Sequence, residues 1–261
     1  MAIGLIIIGD EILSGRRVDQ HFPKVVQLLA ARGLQLGWAE VLGDDPARIT
    51  ATLRRTFASD DIVFCCGGIG ATPDDHTRQA AADALGLTMV MHEQGKLNIQ
   101  QRIVQMGQES GTPADLDSAE NLHRLQMAVF AKGAALIPNP YNNVAGFALR
   151  KHYFVPGFPV MAWPMIEWVL DNHYADLFNR EPHLEQAVLV YEAAESALTP
   201  LMVALEQQYP RVKVFSLPSV GDANTRRHIE LGVKGEPLQT QAAFIQLCAE
   251  LTKMNVEFSN I

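Results

Sequence analysis

Three short acidic turns carry the residues best suited to chemistry: Gly9-Asp10-Glu11, Gly43-Asp44-Asp45 and the stretch from Gly67 to Asp75. Two of them directly follow an apolar run, and in a doubly wound sheet the carboxyl ends of the strands open into one crevice, so carboxylates on such turns converge. A cluster of that kind can hold a divalent cation against a phosphate. Taken singly, each aspartate also reads as a helix N-cap. Gly67-Gly68-Ile69-Gly70 removes side chains where a strand meets a turn, which lets backbone amides approach an anion beside the positive end of the next helix. The run lacks the lysine of a Walker A loop, and residues 68–73 miss the last glycine of the dinucleotide fingerprint, so by spacing alone a tight structural turn competes with a phosphate cradle. The segment Thr72 to Thr77 then adds the carboxylates of Asp74 and Asp75 and two hydroxyls, a set suited to hydrated Mg²⁺ beside a phosphate.

The elements that must position these turns follow from the apolar pattern. Ile3 to Ile8 and Ile62 to Cys66 are continuous apolar strands, and Leu34 to Leu42 is strand-like. Val18, Phe22, Val25, Val26 and Leu29 recur at helical spacing before Gly33, and Ile49, Leu53 and Phe57 mark a helix that opens with Pro46. Ala80, Ala81, Ala84 and Leu85 give a third helix that ends at Gly86. Residues 91–107 and 118–130 are predicted as further helices. Ala135 to Ile137, a loop from Pro138 to Asn143, a strand at His152 to Val155 and a helix ending near Leu170 complete this part. The expected fold is α/β, a doubly wound, mostly parallel sheet over 1–170. From Ala187 the rhythm becomes strand 187–191, helix 196–208, strands 211–217 and 227–233, helix 237–252, which predicts a small α+β domain over 171–261.

Composition narrows the function classes. The chain has 261 residues, 48% hydrophobic and 19% charged, an ordinary globular balance. A formal charge of -8 argues against a nucleic-acid backbone as main partner. Cys65, Cys66 and Cys248 cannot all pair within the chain and read as reduced core residues of a cytoplasmic protein. The opening apolar run has no basic leader, and no stretch approaches the roughly 20 apolar residues of a membrane span. The histidines show no zinc-site spacing, His76 in the acidic stretch reads as structural or merely exposed, and no G-x-S-x-G elbow starts a serine triad. Gly232-Val233-Lys234-Gly235 matches a GXXG loop, yet it links a strand to a helix rather than two helices.

Gly9-Asp10-Glu11-Ile12-Leu13-Ser14-Gly15, the run from Gly67 to Thr77, Asn139-Pro140 and Pro156-Gly157-Phe158-Pro159 resemble, in order, the MoaB/Mog domain as it occurs in CinA-like competence/damage-inducible proteins. The resemblance covers residues 3 to about 170 and extends more weakly over the small domain. It stops short of the C-terminal nicotinamide-nucleotide deamidase domain of longer CinA proteins. It implies a site for phosphorylated, nucleotide-like ligands: molybdopterin and its adenylylated form, or ADP-ribose and FAD-type pyrophosphates. The family's key acidic residues fall on Asp45 or its neighbour Asp44 and on Asp75, with Asp10 and Glu11 in the first motif. The chain departs from the family's usual residues at Ile69, Ala71, Gln20-His21, Asn142 to Ala145 and Val160-Met161, the last removing a carboxylate.

Together these readings make Asp45 and Asp75 the expected catalytic residues and Asp44, Asp45, Asp74 and Asp75 the expected ligands of Mg²⁺ or another divalent cation. The ligand is expected against Gly9, Asp10, Glu11, Gly67, Gly68, Gly70, Thr72, Thr77, Asn139, Pro156 and Gly157. Three activities share such a site: metal-dependent hydrolysis of a pyrophosphate bond in an ADP-ribose or FAD-type compound, binding of molybdopterin or a nucleotide without turnover, and adenylyl transfer to molybdopterin. The partner is a small molecule rather than nucleic acid or membrane, and a homodimer is expected from the apolar surface of a helix bearing Trp163, Trp168 and Leu170.

Overall fold

The structure is a computed structural model that describes residues 1–111, 113–179, 184–222 and 225–261. It divides into two compact units, Met1–Phe178 and Asn179–Ile261.

In the first unit the strands β1 (Ile3–Ile8), β2 (Trp38–Leu42), β3 (Ile62–Cys66), β6 (Ala135–Ile137), β7 (Gly146–Leu149) and β8 (His152–Val155) form one sheet in the order β2-β1-β3-β8-β7-β6. The first four in this order are parallel; β7 is antiparallel to β8, and β6, antiparallel to β7, runs with the first four again. Both faces are covered, which is why β1 and β3 are apolar at every position. Along β1, Ile6 and Ile8 pack with Ile49, Leu53 and Phe57 of α3 (Pro46–Phe57) and with Ala80 to Ala82 of α4 (Thr77–Leu85). Leu5 and Ile7 pack on the other face with Val25, Leu28 and Leu29 of α2 (His21–Ala30) and with Met165 to Leu170 of α7 (Pro159–His173).

The register brings the acidic turns together. Ile8 lies opposite Leu42, Ile7 opposite Cys66, and Cys66 opposite Val155. Gly9, Gly43, Gly67 and Pro156 therefore leave the sheet side by side, on the edge where β1 passes to β2 on one flank and β3 lies on the other. That is the switch point at which open α/β sheets bind ligands. The Gly9 N–H donates to the Leu42 carbonyl at 3.0 Å and the Gly67 N–H to the Val155 carbonyl at 3.0 Å, which ties neighbouring turns to one another.

Several elements differ from the sequence reading. The strand expected from Leu34 begins only at Trp38, because Leu34 and Leu36 pack on the core without joining the ladder. The expected helices 91–107 and 118–130 are α5 (Glu93–Ser110) and the shorter α6 (Ala119–Leu125), flanked by β4 (Met89–Met91) and β5 (Val129–Ala131), which pair as an antiparallel ribbon. α7 runs to His173, and Leu170 is fully buried, so it adds nothing to the surface of that helix; Trp163 and Trp168 are half-buried against the core.

The second unit has a four-stranded antiparallel sheet, β10 (Val212–Ser219), β11 (His228–Gly235), β9 (Leu184–Tyr191) and β12 (Phe258–Asn260), in that order. Alternate residues of β9 and β11 pack with α8 (Glu195–Gln208) and α9 (Pro237–Lys253). The Gly232 to Gly235 motif lies inside β11 rather than in a loop, and the Phe215 ring occupies the place a Cβ on Gly232 would take. No helix among the described residues is long and apolar enough to cross a membrane.

Candidate ligand-binding site

A cleft of about 450 Å³ opens at the switch point, and the residues lining it include Gly9, Glu11, Arg17, Asp44, Gly67, Gly68, Gly70, Thr72, Asp74, Asp75, Asn139, Pro156 and Gly157. Twelve of the 22 lining residues belong to the expected set; Arg17 is the one cation among the ten others. Three expected residues do not line it: Asp10, Asp45 and Thr77.

Each of the three holds a turn. Asp45 is the N-cap of α3, its carboxylate accepting from the N–H groups of Ala47 at 2.8 Å and Arg48 at 3.2 Å, with Pro46 at the first helical position. Its neighbour Asp44 faces the cleft. Asp10 and Asp44 clasp each other across two strands: the Asp10 N–H donates to Asp44 Oδ2 at 2.9 Å and the Asp44 N–H to Asp10 Oδ1 at 3.2 Å. Gly43 is needed there, since a Cβ would meet Asp10 Oδ1 at 2.4 Å. Burial, together with the negative charges of Asp10, Glu11 and Asp74, raises the Asp44 pKa above the ordinary carboxylate value despite that clasp.

Thr77 is fully buried and braces the glycine turn. Its hydroxyl donates to the Gly67 carbonyl at 3.0 Å and its N–H to the Gly68 carbonyl at 2.9 Å. Gly67 and Gly68 both adopt left-handed backbone, with φ of 110° and 68°. Neither tolerates a Cβ, which would lie 2.2 Å from the Ile8 carbonyl oxygen or 2.2 Å from Thr77 Oγ1.

The carbonyls of Gly70, Ala71 and Thr72 are taken as well, while that of Ile69 has no partner among the described residues. Arg78 donates to the Gly70 carbonyl at 2.6 Å, and to the carbonyls of Val129, at 2.9 Å, and Gln126. His123 Nε2 donates to the Ala71 carbonyl at 2.6 Å, and the Asp75 N–H to that of Thr72 at 3.0 Å. The Asp75 carboxylate accepts from the Thr72 N–H at 2.8 Å and from the Thr72 hydroxyl through the same oxygen, Oδ2. By contrast, the N–H groups of Gly68, Ile69, Gly70 and Ala71 have no partner among the described residues. The turn thus engages all but one of the carbonyls from Gly67 to Thr72 elsewhere in the protein and leaves four consecutive donors unused at the cleft, the pattern of an anion-binding nest.

The opposite wall comes from two loops. Asn139 is buried and donates to Asn142 Oδ1 at 2.8 Å and to the Val144 carbonyl at 3.0 Å, fixing the 139–144 loop. Asn142 also approaches the Met161 sulfur at 3.5 Å. His21 Nε2 donates to the Gly157 carbonyl at 3.0 Å and so holds the Pro156-Gly157 turn close to Gly67. Met127, Val144, Phe158 and Met161 give the cleft an apolar part. Among the described residues, no three His, Cys, Asp or Glu side chains are grouped closely enough to hold a metal ion.

A mostly parallel α/β sheet with a glycine turn and carboxylates at its switch point defines a class of small-molecule binding domain. Residues 4–176 match the family described as "Probable molybdopterin binding domain", and the chain belongs to that family. It is similar to a "CinA-like protein" of Anaeromyxobacter sp. (strain Fw109-5), with 32% identity over 174 residues, 65% of this chain and 40% of the relative. It is also similar to a "CinA-like protein" of Geobacter metallireducens, with 34% identity over 163 residues, 61% of this chain and 37% of the relative. The chain thus spans less than half the length of these curated relatives. Among solved structures, the protein CinA of unknown function from Thermoplasma acidophilum shares the fold, with a TM-score of 0.55 and 24% identity over 65% of this chain and 97% of that one.

Proposed function

We propose that the cleft binds a phosphorylated, nucleotide-like or pterin small molecule, with phosphate oxygens on the amides of Gly68 to Ala71. The observation that carries this reading is the asymmetry of the glycine turn, where the carbonyls of Gly67, Gly68, Gly70 and Ala71 are engaged while four successive amides stay unused among the described residues. Arg17 adds a cation to the lining, and Phe158, Met161 and Met127 suit a flat ring.

Glu11, Asp44, Asp74 and Asp75 repel a diphosphate, so the ligand needs a counter-charge. A preformed cation site is absent among the described residues, but Mg²⁺ is commonly held by one or two carboxylates plus the phosphates of the ligand itself. Asp44, crowded by other carboxylates, and Asp74 are the residues that would hold it. Bound there, the cation would offset diphosphate charge and acidify a coordinated water.

A second reading, hydrolysis of the pyrophosphate bond in an ADP-ribose or FAD-type compound, draws on Asp75. Its Oδ2 is taken by Thr72, but Oδ1 has no partner among the described residues, and Asp75 lines the cleft, so that oxygen is left to orient a water.

Calorimetric titration with ADP-ribose, FAD, ATP and molybdopterin, each with and without Mg²⁺, tests both readings. Metal-dependent binding is expected. Failure of every phosphorylated ligand to bind refutes the site. AMP released from ADP-ribose supports hydrolysis, in which case Asp75→Asn should lower the rate by about 10² or more; binding without product leaves the cleft a binding module.

A further inference from the structure

We infer that Arg78 is a positioning residue for the phosphate site: by holding the Gly70 carbonyl it fixes the direction of the Ala71 N–H. The inference rests on the reading of the glycine turn as an anion nest. A peptide group is planar and trans, so its C=O and N–H point in opposite directions and cannot be oriented separately. The Thr77 hydroxyl and N–H fix the Gly67–Gly68 and Gly68–Ile69 peptides in this way. The Gly70–Ala71 peptide has no such help from Thr77, and its carbonyl is held by Arg78 at 2.6 Å.

Glycine at position 70 makes the point critical. Gly70 places little steric restraint on rotation of that peptide, and a flip would turn a carbonyl acceptor toward the anion in place of a donor. Arg78 is itself anchored on two further carbonyls, those of Gln126 and Val129, so the guanidinium spans the glycine turn and the start of β5 as a rigid fork. A lysine has a single terminal nitrogen and cannot reproduce this fork. Nothing about the position announces the role in the sequence, since Arg78 is one residue in the first turn of α4.

The experiment measures Mg²⁺-pyrophosphate affinity for the full chain, Arg78→Met and Arg78→Lys, and follows the Ala71 amide resonance during each titration. Wild type is expected to bind, with the Ala71 amide proton moving downfield. Arg78→Met should lose about tenfold in affinity together with that downfield movement, and Arg78→Lys should recover part of both. Folding of each variant is read from its melting curve, and should Arg78→Met not fold, Arg78→Lys decides, with a severalfold loss expected. Wild-type affinity and an unaltered Ala71 response in a folded variant overturn the role of Arg78 while leaving the nest intact. Absence of pyrophosphate binding by wild type overturns the nest and the inference with it.

Discussion

Replacing Thr77 by valine exchanges a hydroxyl for a methyl group of the same shape at a position with no exposed surface. The backbone bond from Thr77 to Gly68 survives, and the loss is confined to the 3.0 Å bond from Oγ1 to the Gly67 carbonyl. Gly67 is buried too, so its carbonyl is left without a partner. A buried acceptor left unmet costs about 1–3 kcal/mol. For a domain of this size each kcal/mol lowers the melting temperature by about 2–4 °C, which gives a fall of about 2–12 °C. Thr77→Ser keeps the hydroxyl and loses one methyl, about 1 kcal/mol, and serves as the control. Scanning calorimetry reads stability, and titration with Mg²⁺-pyrophosphate reads the site. Valine should lower both stability and affinity, because the Gly67–Gly68 peptide loses its anchor, whereas serine should keep the affinity. A Thr77→Val protein that melts with wild type yet binds less would mean that the hydroxyl contacts the ligand, and the account of the turn would fall.

Three further outcomes are expected. Asp45→Asn should cost less than about 1 kcal/mol, since asparagine caps nearly as well, and should leave Mg²⁺-pyrophosphate affinity unchanged, while Asp44→Asn should weaken it; calorimetry showing the reverse order would overturn the assignment of cap and cleft. His152, buried beside Thr56, has its pKa lowered to about 4 by burial, so the unfolded chain takes up a proton first as pH falls below 6.5. Its contribution is complete above pH 6.5 and is lost as pH falls through about 4, up to about 3 kcal/mol; denaturant melts of His152→Asn should lose that slope, and an unchanged slope would assign it elsewhere. Light scattering should give twice the 28.7 kDa chain mass, and a mass of 28.7 kDa would remove the homodimer.

The central sheet was legible because strands buried on both faces leave continuous apolar runs, as at Ile3 to Ile8 and Ile62 to Cys66. Helix limits were legible where backbone chemistry is specific: Pro46 opens α3, and Gly86 closes α4 with φ of 65°. Short antiparallel pieces were not. β4 and β5 have three residues each, abut helices and owe their existence to pairing with each other, which no local period records. β7 depends on Gly146, where a Cβ would meet the Phe154 carbonyl at 2.4 Å, a close approach set by the neighbouring strand.

The candidate site divides along a different line. Converging turns followed from the fold, and Asp45 carried a readable signal, since the residue just before a proline at the first helical position is the N-cap; that singles out Asp44 for the cleft. Arg78 and His123 had no signal, because their partners are carbonyls supplied by tertiary contact. The side chains that looked most like ligands of a phosphate, the hydroxyls of Thr72 and Thr77, instead serve Asp75 and Gly67. The donors left for an anion belong to the backbone, which is the same at every residue and so writes nothing into the sequence. Its one trace is glycine at 67 and 68, where the left-handed turn and the missing Cβ are both required. A nest of this kind is therefore read from where the carbonyls go: once Thr77 has taken those of Gly67 and Gly68 and Arg78 that of Gly70, peptide planarity leaves the opposed N–H groups of Gly68, Ile69 and Ala71 a single direction in which to find a partner.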